Sequence, residues 1–168
     1  RRGDPFQSLG IVSEQNKAVQ SFVQDTINPV KQSYCYYVEA IDSCSDVHSI
    51  PSDTHCVMQL ETEGGQRESH LYWDSYTGSK VQGYEVQGLI RGSWQTLDSV
   101  PGTDTSYTDT TSVNCGNTYT YRIKAKWQDG ITFTSLSDSA QAIPFDTVNP
   151  EAPKIRAFSI TGPDSARL

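Results

Sequence analysis

The sequence predicts an all-β chain built from antiparallel β-sandwiches. Two observations carry this prediction, an internal repeat and an alternation of apolar and polar side chains. Residues 32–40 and 117–125 align without a gap at an offset of 85 residues, which pairs Tyr34 with Tyr119. In the second segment the apolar side chains occupy every second position: Tyr119, Tyr121, Ile123 and Ala125. Because successive side chains of a strand point to opposite faces, this period indicates a strand with one buried face.

The composition limits the classes of protein to consider. The chain has 168 residues, of which 35% are hydrophobic and 20% charged, and its net charge is −7 with a pI near 4.8. The acidic balance argues against nucleic acid and anionic membrane surfaces as partners. The longest apolar runs are four or five residues, too short for a membrane span or a signal-peptide core. We therefore expect an extracellular, β-rich chain that does not insert into a membrane.

Further strands are predicted in chain order between turn signals. They lie around residues 71–73, 83–87 and 93–97, before the strand that starts at Tyr119. The turn signals are glycine-containing pairs: Thr77-Gly78, Arg91-Gly92, Pro101-Gly102 and Asp129-Gly130. Several short strands at such spacing favour an antiparallel sandwich over other all-β folds.

Four aromatic residues carry a resemblance to a known family. The chain resembles tandem fibronectin type III domains over its whole length, on the positions of Trp73, Tyr84 (after Gly83), Tyr34 and Tyr119. The resemblance implies that Trp73 is the core tryptophan of the second strand and that Tyr84 opens the third. It also implies that Tyr34 and Tyr119 open the sixth strand of successive domains, as the tyrosine corner. These residues are thus predicted to be core architecture and not a binding site.

The same alignment predicts one complete domain and two partial ones. Residues 1–56 would be the C-terminal part of a first domain, 57–145 a complete domain, and 146–168 a linker with the first strands of a third. Half a sandwich cannot bury its inner face, so we expect the chain to be a window on a longer molecule or to be completed by a neighbouring chain. The first junction has no proline linker and should be close-coupled, whereas prolines stiffen the second.

Two cysteines are predicted to form a cross-strand disulfide. Cys35 and Cys56 lie on adjacent antiparallel strands, and both are missing together from the second repeat. The alternative is two separate thiols. The register of the predicted bond also places Ile41 opposite Ile50. The second repeat has outward polar residues at the cysteine positions: Thr120 and Gln141.

The other two cysteines cannot pair with each other if the fold is correct. Cys44 lies in a loop at the N-terminal pole of the first unit, and Cys115 lies in a loop at the C-terminal pole of the second. A unit with strands of about eight residues is over ~25 Å long, whereas a disulfide needs Cα atoms within ~7 Å. A possible inter-domain disulfide follows, in which the Cys115 loop of one unit bonds the Cys44 loop of the next.

Catalytic and metal-binding motifs are absent from the sequence, so neither an enzyme nor a cofactor is expected. His48, His55 and His70 fall on different strands or loops without a spaced carboxylate. Glu61, Glu63 and Glu68 surround Gly64-Gly65 and are interpreted as a solvated loop. Asp104 and Asp109 flank Tyr107 and are interpreted as turn formers in preference to calcium ligands. The triplet Arg2-Gly3-Asp4 is a possible adhesive turn, although turn formation alone also explains its glycine.

The predicted function is a non-catalytic structural and adhesive stalk segment of a large secreted or cell-surface protein. Residues 34–44 and 52–56 resemble modules of Bacteroidota surface proteins, which implies export by type IX secretion and a bacterial filament or adhesin. The expected partners are neighbouring repeats and other copies in a surface assembly. A ligand-binding receptor ectodomain and an accessory module of a secreted glycoside hydrolase are the alternatives. Exposed aromatics at the first junction would favour the receptor, with Trp127 the residue to examine.

Overall fold

The computed structural model describes residues 33–42, 44–45, 47–111, 113–127, 134–154, 159–162 and 165–167, the last two ranges as backbone. All regular secondary structure within these ranges is β. Nothing in them is a helix of the length and apolarity that a bilayer crossing demands. The strands in chain order are β1 (Cys35–Tyr36), β2 (His55–Cys56), β3 (Leu60–Gly65), β4 (Glu68–Trp73), β5 (Val81–Ile90), β6 (Ser93–Pro101), β7 (Ser106–Asp109), β8 (Tyr119–Trp127), β9 (Thr134–Leu136), β10 (Ala140–Ala142), β11 (Ser159–Gly162) and β12 (Ser165–Arg167).

Two antiparallel sheets form the sandwich. The first sheet has the order β3-β4-β7, and the second has the order β10-β8-β5-β6 with β9 also pairing with β8. The crossover from β4 in one sheet to β5 in the other, and the return through β7, give the strand order of a fibronectin type III-like sandwich. The predicted all-β sandwich is therefore confirmed.

The core lies between the two sheets and follows the alternation seen in the sequence. On β8, Tyr121, Ile123 and Ala125 are at most 1% exposed. Trp73 from β4 meets Tyr84 from β5 edge to face, with ring centroids 5.6 Å apart. The buried cluster comprises Met58, Leu60, Leu71, Trp73, Tyr84, Val86, Tyr121, Ile123, Ala125 and Ala142.

Tyr119 has the hydrogen bond that defines a tyrosine corner. It is half-buried against the core, and its hydroxyl accepts a hydrogen bond from the backbone N–H of Asn114, with N and O 2.6 Å apart. The phenol thereby ties the loop before β8 to the start of the strand. Tyr34, its counterpart in the repeat, is also half-buried, and its carbonyl accepts from the N–H of Val57 at 2.8 Å.

The free edge of β3 is covered by β10 and by the segment that follows it. The Thr62 hydroxyl donates to the carbonyl of Gln141 at 2.7 Å, and the N–H of Phe145 donates to the carbonyl of Gly65 at 3.0 Å. Gly64 permits this approach, because a Cβ there would overlap the carbonyl of Ile143. Pairing along this edge removes unpaired backbone groups that would otherwise invite aggregation.

The hairpin of β3 and β4 corrects the interpretation of the acidic cluster as a loop. Glu61 and Glu63 are in β3 and Glu68 is in β4, joined by a turn at Gln66 and Arg67. Paired glycines usually mark a turn, but here they stay in the strand because the chain after β10 packs over them. The three carboxylates therefore share one outward sheet face.

The predicted Cys35–Cys56 disulfide is present and joins β1 to β2. Cys35 lies directly opposite Cys56, as Thr120 lies opposite Gln141 between β8 and β10. The offset of 85 residues thus predicts the pairing of both hairpins.

The rest of the β1–β2 hairpin departs from the predicted register. Ile41 lies opposite His48 and not opposite Ile50. The returning segment therefore contains two extra residues, and Pro51 within it has no N–H to donate to a ladder. The hydroxyls of Ser49 and Ser52 accept from the N–H groups of the facing strand, both at 3.0 Å. These hydroxyls take the place of the backbone carbonyls that the change of register moves out of reach.

Several predictions concern residues outside the described ranges. They are the adhesive triplet Arg2, Gly3 and Asp4, and the turn at Asp129-Gly130.

The predicted turn at Arg91-Gly92 is present, and both residues have positive φ, 51° and 80°. That pair of angles suits the two-residue loop of the β5–β6 hairpin.

Candidate functional site

Three aromatic side chains meet where the β1–β2 hairpin contacts the sandwich, and we name them the junction cluster. The His55 ring is stacked on the Trp127 ring with centroids 5.2 Å apart and an interplanar angle of 27°. The Tyr76 ring lies beside both of these rings, with its centroid 5.9 Å from that of His55 and 5.7 Å from that of Trp127. Its hydroxyl is 2.5 Å from Nδ1 of His55. All three residues are half-buried.

Different parts of the chain supply the members of the junction cluster. His55 comes from β2, Trp127 is the last residue of β8, and Tyr76 follows β4. The Tyr76 N–H donates to the hydroxyl of the core residue Tyr84 at 2.9 Å, which ties the cluster to the sandwich. Burial raises the pKa of the Tyr76 phenol, although a hydrogen bond with Ser135 partly opposes this, so the hydroxyl stays protonated at neutral pH.

The backbone reinforces the same contact. The N–H of Cys56 donates to the carbonyl of Thr77 at 3.0 Å, which joins the disulfide-bonded hairpin to the loop after β4. Gly78, in the predicted turn, has a φ of 140°, and a Cβ on it would collide with the His55 ring. A glycine at this position therefore allows the hairpin to approach closely.

Trp127, the aromatic residue that the sequence singled out, is part of the junction cluster. Its ring packs against His55 and Tyr76 and is only partly accessible, so it does not form a flat, exposed aromatic platform. Stacked rings that join two parts of a chain restrict their relative motion.

Two of the histidines have carboxylate partners, which the spacing of residues in the sequence did not predict. Nδ1 of His48 is 2.9 Å from Glu39, and Nε2 of His70 is 3.2 Å from Glu68. Glu68 and His70 are two apart on β4, and such residues share one face of a strand. Each of these histidines has one carboxylate partner among the described residues. Across the described ranges no group of three His, Cys, Asp or Glu side chains could hold a metal ion.

Asp109 has a structural role that the sequence interpretation as a turn former missed. It is 2% exposed, and its Oδ2 accepts a hydrogen bond from the hydroxyl of Tyr121 at 3.0 Å. Its Oδ1 accepts from both the N–H and the hydroxyl of Thr111, each at 3.1 Å. Burial raises the pKa of Tyr121 far above its ordinary value, so the phenol remains a donor. The Asp-x-Thr spacing was the available signal for half of this network.

Cys44 and Cys115 are both exposed, in separate loops. The carboxylate of Asp42 accepts hydrogen bonds from the side chain of Ser45 and from the N–H groups of Ser45 and Cys44, and these bonds lower its pKa. Cys115 precedes Gly116, whose N–H donates to the carbonyl of Pro144 at 2.8 Å. The inter-domain disulfide between such loops stays a prediction.

The two outer faces of the sandwich carry opposite charge. The outward residues of the second sheet include Arg122, Lys124 and Lys126 on β8, and we name this surface the basic face. The outward residues of the first sheet include Glu61, Glu63 and Glu68, and we name this surface the acidic face. The sequence showed these residues but not their segregation, because the acidic residues were assigned to a loop.

No family model matches the chain, and no curated protein matches it significantly. Solved structures similar to it include an Fn3-like protein from Clostridium thermocellum, with 21% identity, a TM-score of 0.41, and coverage of 58% of this chain and 92% of that one. The FN1–FN3 domains of chicken CNTN1 have 19% identity, a TM-score of 0.40, and coverage of 67% and 44%. The pectate lyase Pel3 from Pectobacterium carotovorum has 19% identity and a TM-score of 0.44, over 60% of this chain. The chain spans 28% of the length of that lyase. The fold assignment rests on the strand order and the tyrosine corner described above.

Proposed function

We propose that this chain is a non-catalytic structural and adhesive stalk segment of a large secreted or cell-surface protein. The observation that carries the proposal is the half-buried junction cluster, in which His55 stacks on Trp127 beside the Cys35–Cys56 disulfide. A stalk must transmit orientation from one unit to the next, and most contacts between domains are too small and polar to do so. Aromatic stacking across the junction supplies the missing stiffness.

The cysteine usage supports a location outside the cell. A cross-strand disulfide that closes a separation of 21 residues persists in an oxidising compartment and is rare in the cytosol. The bond also lies next to His55, so it holds β1 and β2 together at the point where the hairpin meets the sandwich. We also propose a Bacteroidota filament or adhesin exported by type IX secretion, because residues 34–44 and 52–56 resemble modules of such surface proteins.

The adhesive part of the proposal concerns contacts with neighbouring repeats and other copies, not with nucleic acid or membrane. Asp109 and Tyr121 form a buried structural network, and His48 and His70 each contact a single carboxylate. These groups therefore lack the arrangement of nucleophile, base and orienting residue that acyl-transfer chemistry requires. We propose that these groups stabilise the fold and that the chain has a structural role.

The distance distribution between the two exposed thiols tests the proposal. Cys44 and Cys115 lie on the hairpin side and on the sandwich side of the junction, so spin labels can be attached without mutation. Double electron–electron resonance should give one narrow distribution of distances between the two spin labels, and Trp127→Ala should broaden that distribution. Tyr72→Ala is the matched control, because Tyr72 is 45% exposed and contributes no ring to the junction cluster.

A broad distribution in the unmodified chain would contradict a stiff stalk. A narrow distribution that Trp127→Ala leaves unchanged would show that the junction cluster is not the source of stiffness. His55→Ala provides a second variant, in case the loss of Trp127 destabilises β8. A soluble ligand that binds the chain and whose binding Trp127→Ala abolishes would favour the receptor alternative.

A further inference from the structure

The basic face is a pre-ordered row of cations. Arg122, Lys124 and Lys126 alternate with the buried residues of β8 and point outward from the second sheet. Glu85 on the neighbouring strand accepts from Lys126 at 2.6 Å and from Lys124 at 3.3 Å. One carboxylate therefore opposes three cations, which leaves a net positive row. These hydrogen bonds, first that from Lys126, lower the pKa of Glu85, so the row keeps its charge pattern at neutral pH.

Arg122 is held in a defined orientation at one end of this row. Its Nε donates to Oε1 of Gln87 at 2.8 Å, and its guanidinium carbon lies 4.2 Å from the centroid of the Trp94 ring. Stacking on an aromatic ring and a hydrogen bond to an amide fix the guanidinium plane, so less conformational entropy is lost when it contacts an anion. Leu89, directly across from Trp94, is 42% exposed and adds an apolar patch beside it.

The acidic face lies on the opposite side of the same sandwich. Glu61 and Glu63 are exposed on β3, and Glu68 lies near them on β4, bound to His70. Arg67, the cation at the turn of this hairpin, contacts Asp146 instead, with Nε and Oδ2 3.4 Å apart. Among the described residues, no Lys or Arg forms an ion pair with these three glutamates.

The two faces match each other in spacing as well as in charge. The glutamates of β3 and the cations of β8 both recur at every second residue of an antiparallel strand, a step of about 6.8 Å. Each face also has an exposed apolar group beside its charges, Tyr72 at 45% and Leu89 at 42%. Complementary potentials of this kind steer association and fix its register.

We propose that the basic face of one copy docks on the acidic face of a second copy of this chain. The two faces lie on opposite sides of one sandwich, so the contact is heterologous, and each added copy leaves both kinds of face available for the next. Sandwiches would then stack side by side as lateral bundles. This inference rests on the proposed function and deepens it, because it assigns the contact between copies to two named faces of the sandwich.

The ionic strength should control this association in a specific way. The overall charge of −7 repels a second copy at long range. At about 0.1 M salt the screening length is ~10 Å, so this repulsion is reduced while direct ion pairs survive. At 1 M salt the screening length falls to ~3 Å and the ion pairs are lost as well. Association is therefore expected at about 0.1 M salt and should be lost at 1 M.

Charge reversal with mixing tests the proposal by sedimentation. The chain is studied with Cys44 and Cys115 alkylated, so that intermolecular disulfides cannot form. We expect the unmodified chain to associate with a Kd of about 1 mM or tighter at 0.1 M salt. The double variants Lys124→Glu/Lys126→Glu and Glu61→Lys/Glu63→Lys should each self-associate at least tenfold more weakly. An equimolar mixture of the two should recover association, because the faces of one variant are then all acidic and those of the other all basic.

Two outcomes of the sedimentation experiment would overturn the proposal. A monomeric unmodified chain at 0.1 M salt, or a mixture that stays monomeric, would show that the faces do not dock on each other. Lys124→Gln/Lys126→Gln, which removes charge without adding repulsion to Glu85, should also weaken association if the reversed variant folds poorly. A separate arm uses polygalacturonate as the probe. If polygalacturonate binds a monomeric chain and Lys124→Gln/Lys126→Gln abolishes that binding, the occupant of the basic face is an acidic polysaccharide instead.

Discussion

A disulfide transferred from the first repeat into the second should stabilise the sandwich. Thr120 lies directly opposite Gln141 between β8 and β10, in the register that Cys35 and Cys56 have in the native bond. Both pairs have a sequence separation of 21 residues. The double substitution Thr120→Cys/Gln141→Cys should therefore form a cross-strand disulfide without a change in backbone pairing.

The magnitude follows from the loop that the new bond closes. Cross-linking about 21 residues removes loop-closure entropy worth about 3 kcal/mol at 25 °C. The hydrogen bond lost, from Gln141 to Thr120, is exposed and 3.4 Å long, so its loss costs at most about 0.5 kcal/mol. With a urea m-value of about 2 kcal/mol/M, the unfolding midpoint should rise by roughly 1 to 1.5 M.

Urea unfolding followed by tryptophan fluorescence measures the shift, and mass spectrometry confirms loss of two hydrogens. The single variant Thr120→Cys is the control, and the unmodified chain in the same reductant corrects for reduction of the native bond. New cysteines that stay reduced under air oxidation would contradict the predicted bond. An oxidised variant with an unchanged midpoint would equally show that β8 and β10 do not pair as described.

Three further predictions concern single side chains. Asp109→Asn should destabilise the sandwich by about 1.5–3 kcal/mol, because the charge-assisted hydrogen bond from Tyr121 is buried. Urea unfolding measures this loss. Asp104→Asn is the control, because Asp104 lies in an exposed turn and its substitution should change the unfolding free energy little. Tyr119→Phe should cost about 1 kcal/mol by the same assay, since it removes only the tyrosine-corner hydrogen bond, and a cost near zero would contradict that bond. Glu85→Gln should cost about 1 kcal/mol at pH 7, because Lys126 and Lys124 lower the folded pKa of Glu85. The stability that a carboxyl with a lowered pKa contributes is fully present above its ordinary pKa of 4.5, and it is lost as pH falls through the folded pKa. The difference in unfolding free energy between Glu85→Gln and the unmodified chain should therefore disappear in acid. A difference that persists at pH 2 would contradict the ion pairs of Glu85.

The sheets were predictable because their signals are local. The alternation from Tyr119 to Ala125 identifies a half-buried strand without knowledge of its neighbours. The repeat then carried this information to the first hairpin, where no strong alternation exists. The paired absence of two cysteines from the second repeat, together with their places on adjacent antiparallel strands, predicted the Cys35–Cys56 bond.

The failures occurred where distant segments decide the outcome. Gly64 and Gly65 resemble a turn, but the chain after β10 packs over them and keeps them in a strand. The slip that places Ile41 opposite His48 depends on Pro51 and on hydroxyl acceptors from two serines, which period counting cannot detect.

The junction cluster was only partly visible in the sequence. Trp127 could be singled out because it ends a strand, but its contacts could not. Tyr76 and His55 are supplied by segments far from it along the chain, and Gly78 determines how closely they approach. Such a cluster depends on how the hairpin sits against the sandwich, and no local pattern encodes that.

Amide ¹⁵N relaxation tests most directly whether the hairpin and the sandwich are mechanically coupled. We expect one rotational correlation time for the amides of β1 and β2 and for those of β5 and β8, because His55, Tyr76 and Trp127 hold these elements together. A distinctly shorter correlation time for the β1–β2 hairpin would show that it reorients independently, and it would contradict the stiff junction on which the stalk proposal depends.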